Sequence, residues 1–285
     1  VVNQPRVIPG HYTPWFVRGF GKYVRWLLAR KFQAVRLDRS GFAGDGDGPR
    51  APFAPLDQEP RPLIVLLSHS SWWDPLVGVL IGTMFLPSRS GCIPMDRAML
   101  AKLGFFRRIG MFGIDPDDPA SLPAMARYVG ERFAQDARPT LWITPQGEFA
   151  DPRAPIALRP GAALIAARTP GAIVLTLCIE YAFWLSSKPE VFVRLSRVPD
   201  THIAGANEPL GARAWQERLT LAMRDNAHAL ASGVTSRDPS RFRVILGRSD
   251  AGAIDTTHRR AHADRPRTGG GASAARLAIP REAPR

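Results

Sequence analysis

The chain has 285 residues, 45% of them hydrophobic, and a formal charge of +13 with only two cysteines. That is enough apolar sequence to bury one substantial core in one or two domains. Cys92 and Cys178 lie far apart with no CxxC and no Cys/His cluster, which excludes a disulfide scaffold and a zinc module and suits a reducing compartment. The charge calls for an acidic partner: nucleic acid, anionic lipid or a phosphorylated substrate. The segment 249–285 carries seven arginines against four acids, so about +10 belongs to the body of the chain.

In chain order, residues 14–34 (PWFVRGFGKYVRWLLARKFQA) place Arg18, Lys22, Arg25 and Arg30 or Lys31 at steps of three to five among Trp15, Phe16, Phe20, Tyr23, Val24, Leu27 and Leu28. This predicts an amphipathic helix with a basic stripe, suited to an anionic bilayer surface. The same pattern also suits a helix packed on the protein's own core with a solvated charged edge. Regions are assigned as follows: 1–39 an N-terminal amphipathic membrane-contact region, 40–60 a Gly/Pro/Asp-rich linker, 61–248 an α/β domain, and 249–285 a disordered basic tail. The GDGDG at 44–48 lacks the downstream glutamate of a calcium loop.

From residue 61, short apolar runs alternate with helical patterns. Strands are predicted at Leu63–Leu67, Cys92–Met95, Met111–Ile114, Thr140–Thr144, Ala172–Ile179 and Val191–Leu195. Helices are predicted at about 75–86, 97–108, 120–136, 159–168 and 212–231. Such alternation predicts a mixed, largely parallel sheet flanked by helices. No run of about 18 to 20 uncharged apolar residues occurs, so no spanning helix is expected. The basic residues of 14–28 are spread through its apolar ones, unlike a secretory leader. A protein held peripherally at the cytoplasmic face of the membrane is expected.

The stretch SHSSWWDPL (Ser68–Leu76) sets His69 and Asp74 five residues apart after the predicted strand Leu63–Leu67. On one helix they would stand about 140° apart, so they can meet only across a turn. A strand ending at Leu67, a loop, and a helix beginning at Pro75 with Asp74 as N-cap supplies that turn. An aspartate on one imidazole nitrogen leaves the other free as a general base. Read alone, the text is equally a cap and a loop histidine.

SHSSWWD resembles the NHxSxxD box of the glycerolipid acyltransferases, the family of 1-acylglycerol-3-phosphate acyltransferase, and further boxes follow in order. GMFGIDP (Gly110–Pro116) is similar to the box ending GxxFIDR, and ITPQGEF (Ile143–Phe149) to FPEGTRS. The resemblance spans roughly 15–200. It implies an acyltransferase in which His69 deprotonates an acceptor hydroxyl and Asp74 orients it. The donor would be an acyl-CoA or acyl carrier protein thioester, and no other cofactor or metal is implied. Substrate-binding roles fall on Ser70, Ser71, Pro145, Gln146, Gly147 and Glu148, although Pro145 and Gly147 also suit a plain turn between strand and helix. Arg97, Lys102, Arg107 and Arg108 are offered to the donor's phosphates or to anionic lipid, and suit still better the solvated face of an amphipathic helix. The arginines that end boxes two and three are replaced by Pro116 and Phe149, and Glu148 repels a phosphate dianion. An acceptor other than lysophosphatidate is therefore expected, a membrane lipid hydroxyl such as that of a sugar-bearing or isoprenoid-derived lipid, with Gln146 and Glu148 hydrogen-bonding it.

Two other classes stay open. Asp115–Asp118 (DPDD) suits a metal-dependent glycosyltransferase, or simply a cap and first-turn charges before a helix. A catalytically inactive protein of the same fold that binds anionic lipid is the non-enzymatic alternative. Serine hydrolysis lacks its GxSxG, and nucleic-acid binding lacks a zinc or RNA-recognition signature.

Overall fold

The run Leu63–Leu67 shows no polar alternation because both its faces are covered: all five residues are buried, and each edge pairs with a parallel strand. A computed structural model of the chain describes residues 6–41, 53–199 and 210–248. All of these belong to the unit Val1–Ser249. Helix α1 (Pro14–Lys31) leads into strand β1 (Ala34–Asp38), and a short helix α2 (Ala54–Gln58) precedes β2 (Leu63–Leu67). Then come α3 (Asp74–Phe85), β3 (Ser90–Asp96), α4 (Arg97–Lys102), a 3-10 turn (Gly104–Ile109) and β4 (Met111–Ile114). The chain continues through α5 (Ser121–Gln135), β5 (Pro139–Ile143), α6 (Gly161–Arg168), β6 (Ile173–Ala182) and β7 (Glu190–Arg197), to α7 (Ala212–Ser236) and β8 (Phe242–Gly247).

The architecture is α/β, as expected: an eight-stranded sheet in the order β4-β3-β5-β2-β6-β7-β1-β8. Its first five strands run parallel, β6 meets β7 antiparallel, β7 and β1 are parallel, and β8 closes the far edge antiparallel. Alternate residues of each strand serve opposite faces. Ile64, Leu66, Leu141, Ile143 and Val174 pack in one core with α5, α6 and α7, while Leu63, Val65, Leu67, Leu175 and Leu177 pack in another with α1 and α3. Truncating a residue such as Leu66 to alanine would cost about 2–5 kcal/mol.

Several expectations change. Strands β1 and β8 were not among the predicted strands, and β1 sits inside the region assigned to the N-terminal helix. It carries Arg36, paired to the buried Glu190 of β7, and Asp38, which accepts from Arg241 and faces Arg194. The helix expected over 97–108 stops at Lys102 and tightens from Gly104 into a 3-10 turn, which Gly110 ends at φ 94°. There Phe106 reaches Phe20 of α1. Asp74 is the first residue of α3 and not its N-cap, because its carboxylate turns back to the preceding loop. Part of the expected linker forms α2. Residues 42–52, with the GDGDG, and the tail 249–285 lie outside the described residues.

Candidate active site

The loop between β2 and α3 is tied to the sheet before it turns. Ser68 N donates to Leu177 O, and Ser68 Oγ accepts from Ile179 N at 2.9 Å, anchoring the start of the loop to β6. The chain then wraps around the fully buried carboxylate of Asp74. Oδ2 accepts from Ser70 N at 2.5 Å, from Ser71 N at 2.7 Å and faces His69 Nδ1 at 3.3 Å, while Oδ1 accepts from Tyr181 OH at 2.6 Å. Four donors offset the desolvation of the charge. With Nδ1 given to Asp74, Nε2 of His69 is left to face a substrate.

The base is steadied from the third-box loop. His69 N donates to Gln146 Oε1 at 3.1 Å, His69 O accepts from Ala150 N at 2.8 Å, and the exposed Phe149 ring lies 4.3 Å from the imidazole. Burial pushes the Tyr181 hydroxyl well above its ordinary pKa, and the charge of Asp74 pushes it further, so the phenol remains a proton donor.

His69 lines a cleft of ≈ 860 Å³, a volume within the range of small-molecule sites. One wall is a stripe of α3 and its C-cap: Pro75, Gly78, Val79, Gly82, Thr83 and then Leu86 recur at helical spacing, a run of roughly 16 Å. Leu67, Trp142, Ile93 and Met111 of the sheet also line it, and Val17 and Arg18 of α1 border it. At the end remote from His69 lie Thr140, Gly91 and Arg89. All five N–H donors of Arg89 have acceptors: Thr140 Oγ1 and the carbonyls of Leu56, Glu59, Arg61 and Pro139. Burial lowers its pKa to about 10. Here it braces the wall structurally.

The structure brings His69 and Asp74 together, with Pro145 and Gly147 on the cleft beside them. The other assigned residues stand elsewhere. Ser70 and Ser71 act through their amides on Asp74, and Ser70 Oγ is buried without a hydrogen-bond partner, beside a second, much smaller cavity. Gln146 holds the backbone of the base, Glu148 is exposed and off the cleft lining, and Arg97 and Lys102 sit on α4, also off the lining. Arg107 Nε donates to Pro9 O, and Arg108 lies over the Phe16 ring.

Two residues escaped the sequence reading. Tyr181 is one. Arg159 is the other: its backbone N–H donates to Pro145 O, Nη1 donates to Pro116 O, and its side chain lies against Gly147, whose φ is 75°. A guanidinium thus stands on the cleft between the second and third boxes, where both motif arginines are replaced. Asp117 lies 3.8 Å from it. Of the acidic run, Asp115 and Asp118 accept amides of their own turn, from Asp117 and Ala120. Among the described residues no group of three or more His, Cys, Asp or Glu side chains is arranged to hold a metal.

In comparisons with known proteins, the chain matches no protein-family model and no curated protein.

Proposed function

We propose that the protein is an O-acyltransferase that moves a fatty acyl group from an acyl-CoA or acyl carrier protein thioester to a lipid hydroxyl. The observation that carries this reading is the position of His69: its Nδ1 faces Asp74, and it lines an apolar cleft that runs the length of α3. A base beside a long apolar slot suits a reaction that needs both proton abstraction and a bound hydrocarbon chain. Nε2 takes the acceptor's hydroxyl proton, the oxygen forms the new ester bond at the thioester carbonyl, and the C–S bond breaks. The departing thiolate recovers the proton from the imidazolium. No covalent acyl-enzyme, metal or further cofactor enters this sequence.

The acceptor in this reading is a membrane lipid without the glycerol phosphate of lysophosphatidate. Pro116 and Phe149 cannot supply the planar fork of the motif arginines, and Arg159, whose guanidinium stands between the two boxes, already meets Pro116 O and Asp117. Access to lipid would come by peripheral docking at the cytoplasmic face of the membrane. On α1, the exposed Trp15, Tyr23 and Trp26 fall within about 80° of the helix circumference, beside the edge of Arg18, Lys22 and Arg25. Among the described residues no helix is long and apolar enough to cross a membrane.

The test is acyl transfer by the purified protein, with acyl-CoA and acyl carrier protein donors of several chain lengths. Lysophosphatidate, a lysoglycolipid and an isoprenoid alcohol would be presented in vesicles and the products identified by mass spectrometry. Transfer to a phosphate-free acceptor, abolished in His69→Ala, is expected. Robust transfer to lysophosphatidate with the same dependence on His69 would refute the acceptor class. Vesicle binding with no transfer to any acceptor would favour a non-catalytic lipid-binding protein instead.

A further inference from the structure

Of the four donors that hold Asp74, three come from its own turn and one from a strand more than a hundred residues away. Ser70 N and Ser71 N approach Oδ2 more closely than His69 Nδ1 does, at 2.5 and 2.7 Å against 3.3 Å. The two amides would hold that oxygen whether or not the histidine were aligned with it. Rotation of the carboxylate about its last bond is intrinsically broad and roughly two-fold for aspartate, and the two amides resist it from Oδ2 alone. Tyr181 OH, 2.6 Å from Oδ1, adds a restraint on the other oxygen. Its own ring is braced, lying 5.7 Å from the ring of Phe32, which in turn meets Trp73 edge-on at 5.2 Å. Tyr181 is not on the cleft lining, so its influence on chemistry must pass through Asp74.

We propose that Tyr181 is a positioning residue for the His69–Asp74 pair: by donating its hydroxyl proton to Oδ1, it fixes the carboxylate rotation that turns Oδ2 towards Nδ1 of His69. This rests on the reading of His69 as the general base. Tyr181→Phe keeps the ring against Phe32 and removes the hydroxyl, which also meets the Ser71 side chain, leaving Asp74 Oδ1 without that donor and the carboxylate freer to turn away from His69. The neutral imidazole then loses the partner that favours its Nδ1–H tautomer. Few other charges face the pair. Glu180 of β6, bonded to Arg153, lies beside the small cavity behind Ser70 and Gln146, and Arg159, Asp115 and Asp117 line the cleft outside. Tyr181→Phe leaves all of them in place.

The experiment follows His69 by NMR in the full chain carrying isotope-labelled histidine, its signal identified by its loss in His69→Asn. Acyl transfer is measured on the same proteins. In Tyr181→Phe the neutral form of His69 should lose its preference for the Nδ1–H tautomer, read from its ring nitrogen shifts. kcat should fall about ten-fold with KM for the donor little changed. 3-Fluorotyrosine at position 181, which keeps the donor and the shape, should keep the tautomer, and this gives an answer even where Tyr181→Phe folds poorly. An unmoved tautomer in Tyr181→Phe, or a lost one in the fluorotyrosine protein, would overturn the role of Tyr181, whatever their activity. A tautomer preference lost in Tyr181→Phe, beside a wild type that transfers no acyl group, would overturn the acyltransferase reading and leave the positioning role standing.

Discussion

Gly82 of α3 stands directly against Trp142 of β5: a Cβ built on the glycine would lie 3.2 Å from Cζ2 of the indole. Gly78, one turn earlier, has Leu67 Cδ2 at 3.5 Å and Trp142 at 3.8 Å from the same virtual atom. Two glycines in one helix are costly, at roughly 0.8–1 kcal/mol each against alanine. Here they hollow the face of α3 that lines the cleft. In Gly78→Leu the added side chain should enter that space. The preference among acyl-CoA donors should move to shorter chains, with kcat/KM for the longest accepted donor falling at least about ten-fold while a short donor is retained. A chain-length profile unchanged in Gly78→Leu would show that the acyl chain lies elsewhere.

The two residues of the pair should fail in different ways. The His69 side chain is partly exposed, so His69→Ala should fold normally and lose about 10²- to 10⁴-fold in kcat. Asp74→Asn is harsher, because Oδ2 already accepts two amide protons, and an NH2 group placed there would set donor against donor. If the amide is flipped, it meets the Tyr181 hydroxyl instead. This variant should therefore lose activity and also about 1–3 kcal/mol of stability, read by denaturant unfolding. Full stability in Asp74→Asn would mean that the turn does not depend on the carboxylate.

What the sequence disclosed follows the range of each interaction. The apolar run Leu63–Leu67, the turn and Pro75 are neighbours in the chain, so β2, the loop, the start of α3 and the candidate pair could all be read from one stretch. Tyr181 could not be placed, because its partner is set by the register of β2 against β6, a pairing no local pattern encodes. The N-cap role given to Asp74 failed for a related reason: the spacing before Pro75 suits a cap, and only the closed turn shows Ser70 N and Ser71 N as partners of the carboxylate beside His69. Strand β1 was hidden by Arg36 and Asp38, whose burial makes sense only beside Glu190, Arg194 and Arg241. Strand β8, with its run FRVIL, carried a usable signal.

Docking through α1 should depend on its exposed rings more than on its buried ones. Val24 and Leu28 are fully buried, whereas Trp15 and Trp26 are 64% and 56% exposed. Trp15→Ala combined with Trp26→Ala should leave stability within about 0.5 kcal/mol. The same change should weaken binding to vesicles containing anionic phospholipid about ten-fold or more. Charge reversal at Lys22 and Arg25 should remove most of the salt dependence of that binding. Flotation of the variants alongside the parent would decide it, and unchanged binding in the tryptophan variant would exclude α1 as the contact.

The two thiols predict how the fold responds to alkali. Cys92 of β3 and Cys178 of β6 are both buried and free, and burial pushes each up to about 12 from an ordinary value near 9. A group whose folded pKa is raised contributes stability that is complete below its unfolded pKa and is lost as pH rises towards the folded one. Unfolding free energy should therefore begin to fall above about pH 9, by on the order of 1 kcal/mol per pH unit for each thiol. The buried tyrosines Tyr12, Tyr128 and Tyr181 are also raised, and their contribution enters only above about pH 10. Between pH 9 and 10 the cysteines therefore dominate the loss, opposed only near pH 10 by the deprotonation of Arg89. In Cys92→Ala with Cys178→Ala the slope there should flatten, whatever the packing loss does to stability at neutral pH. At pH 8 a disulfide reagent should label neither thiol until denaturant unfolds the chain, and rapid labelling of the folded protein would contradict the burial of these two strands.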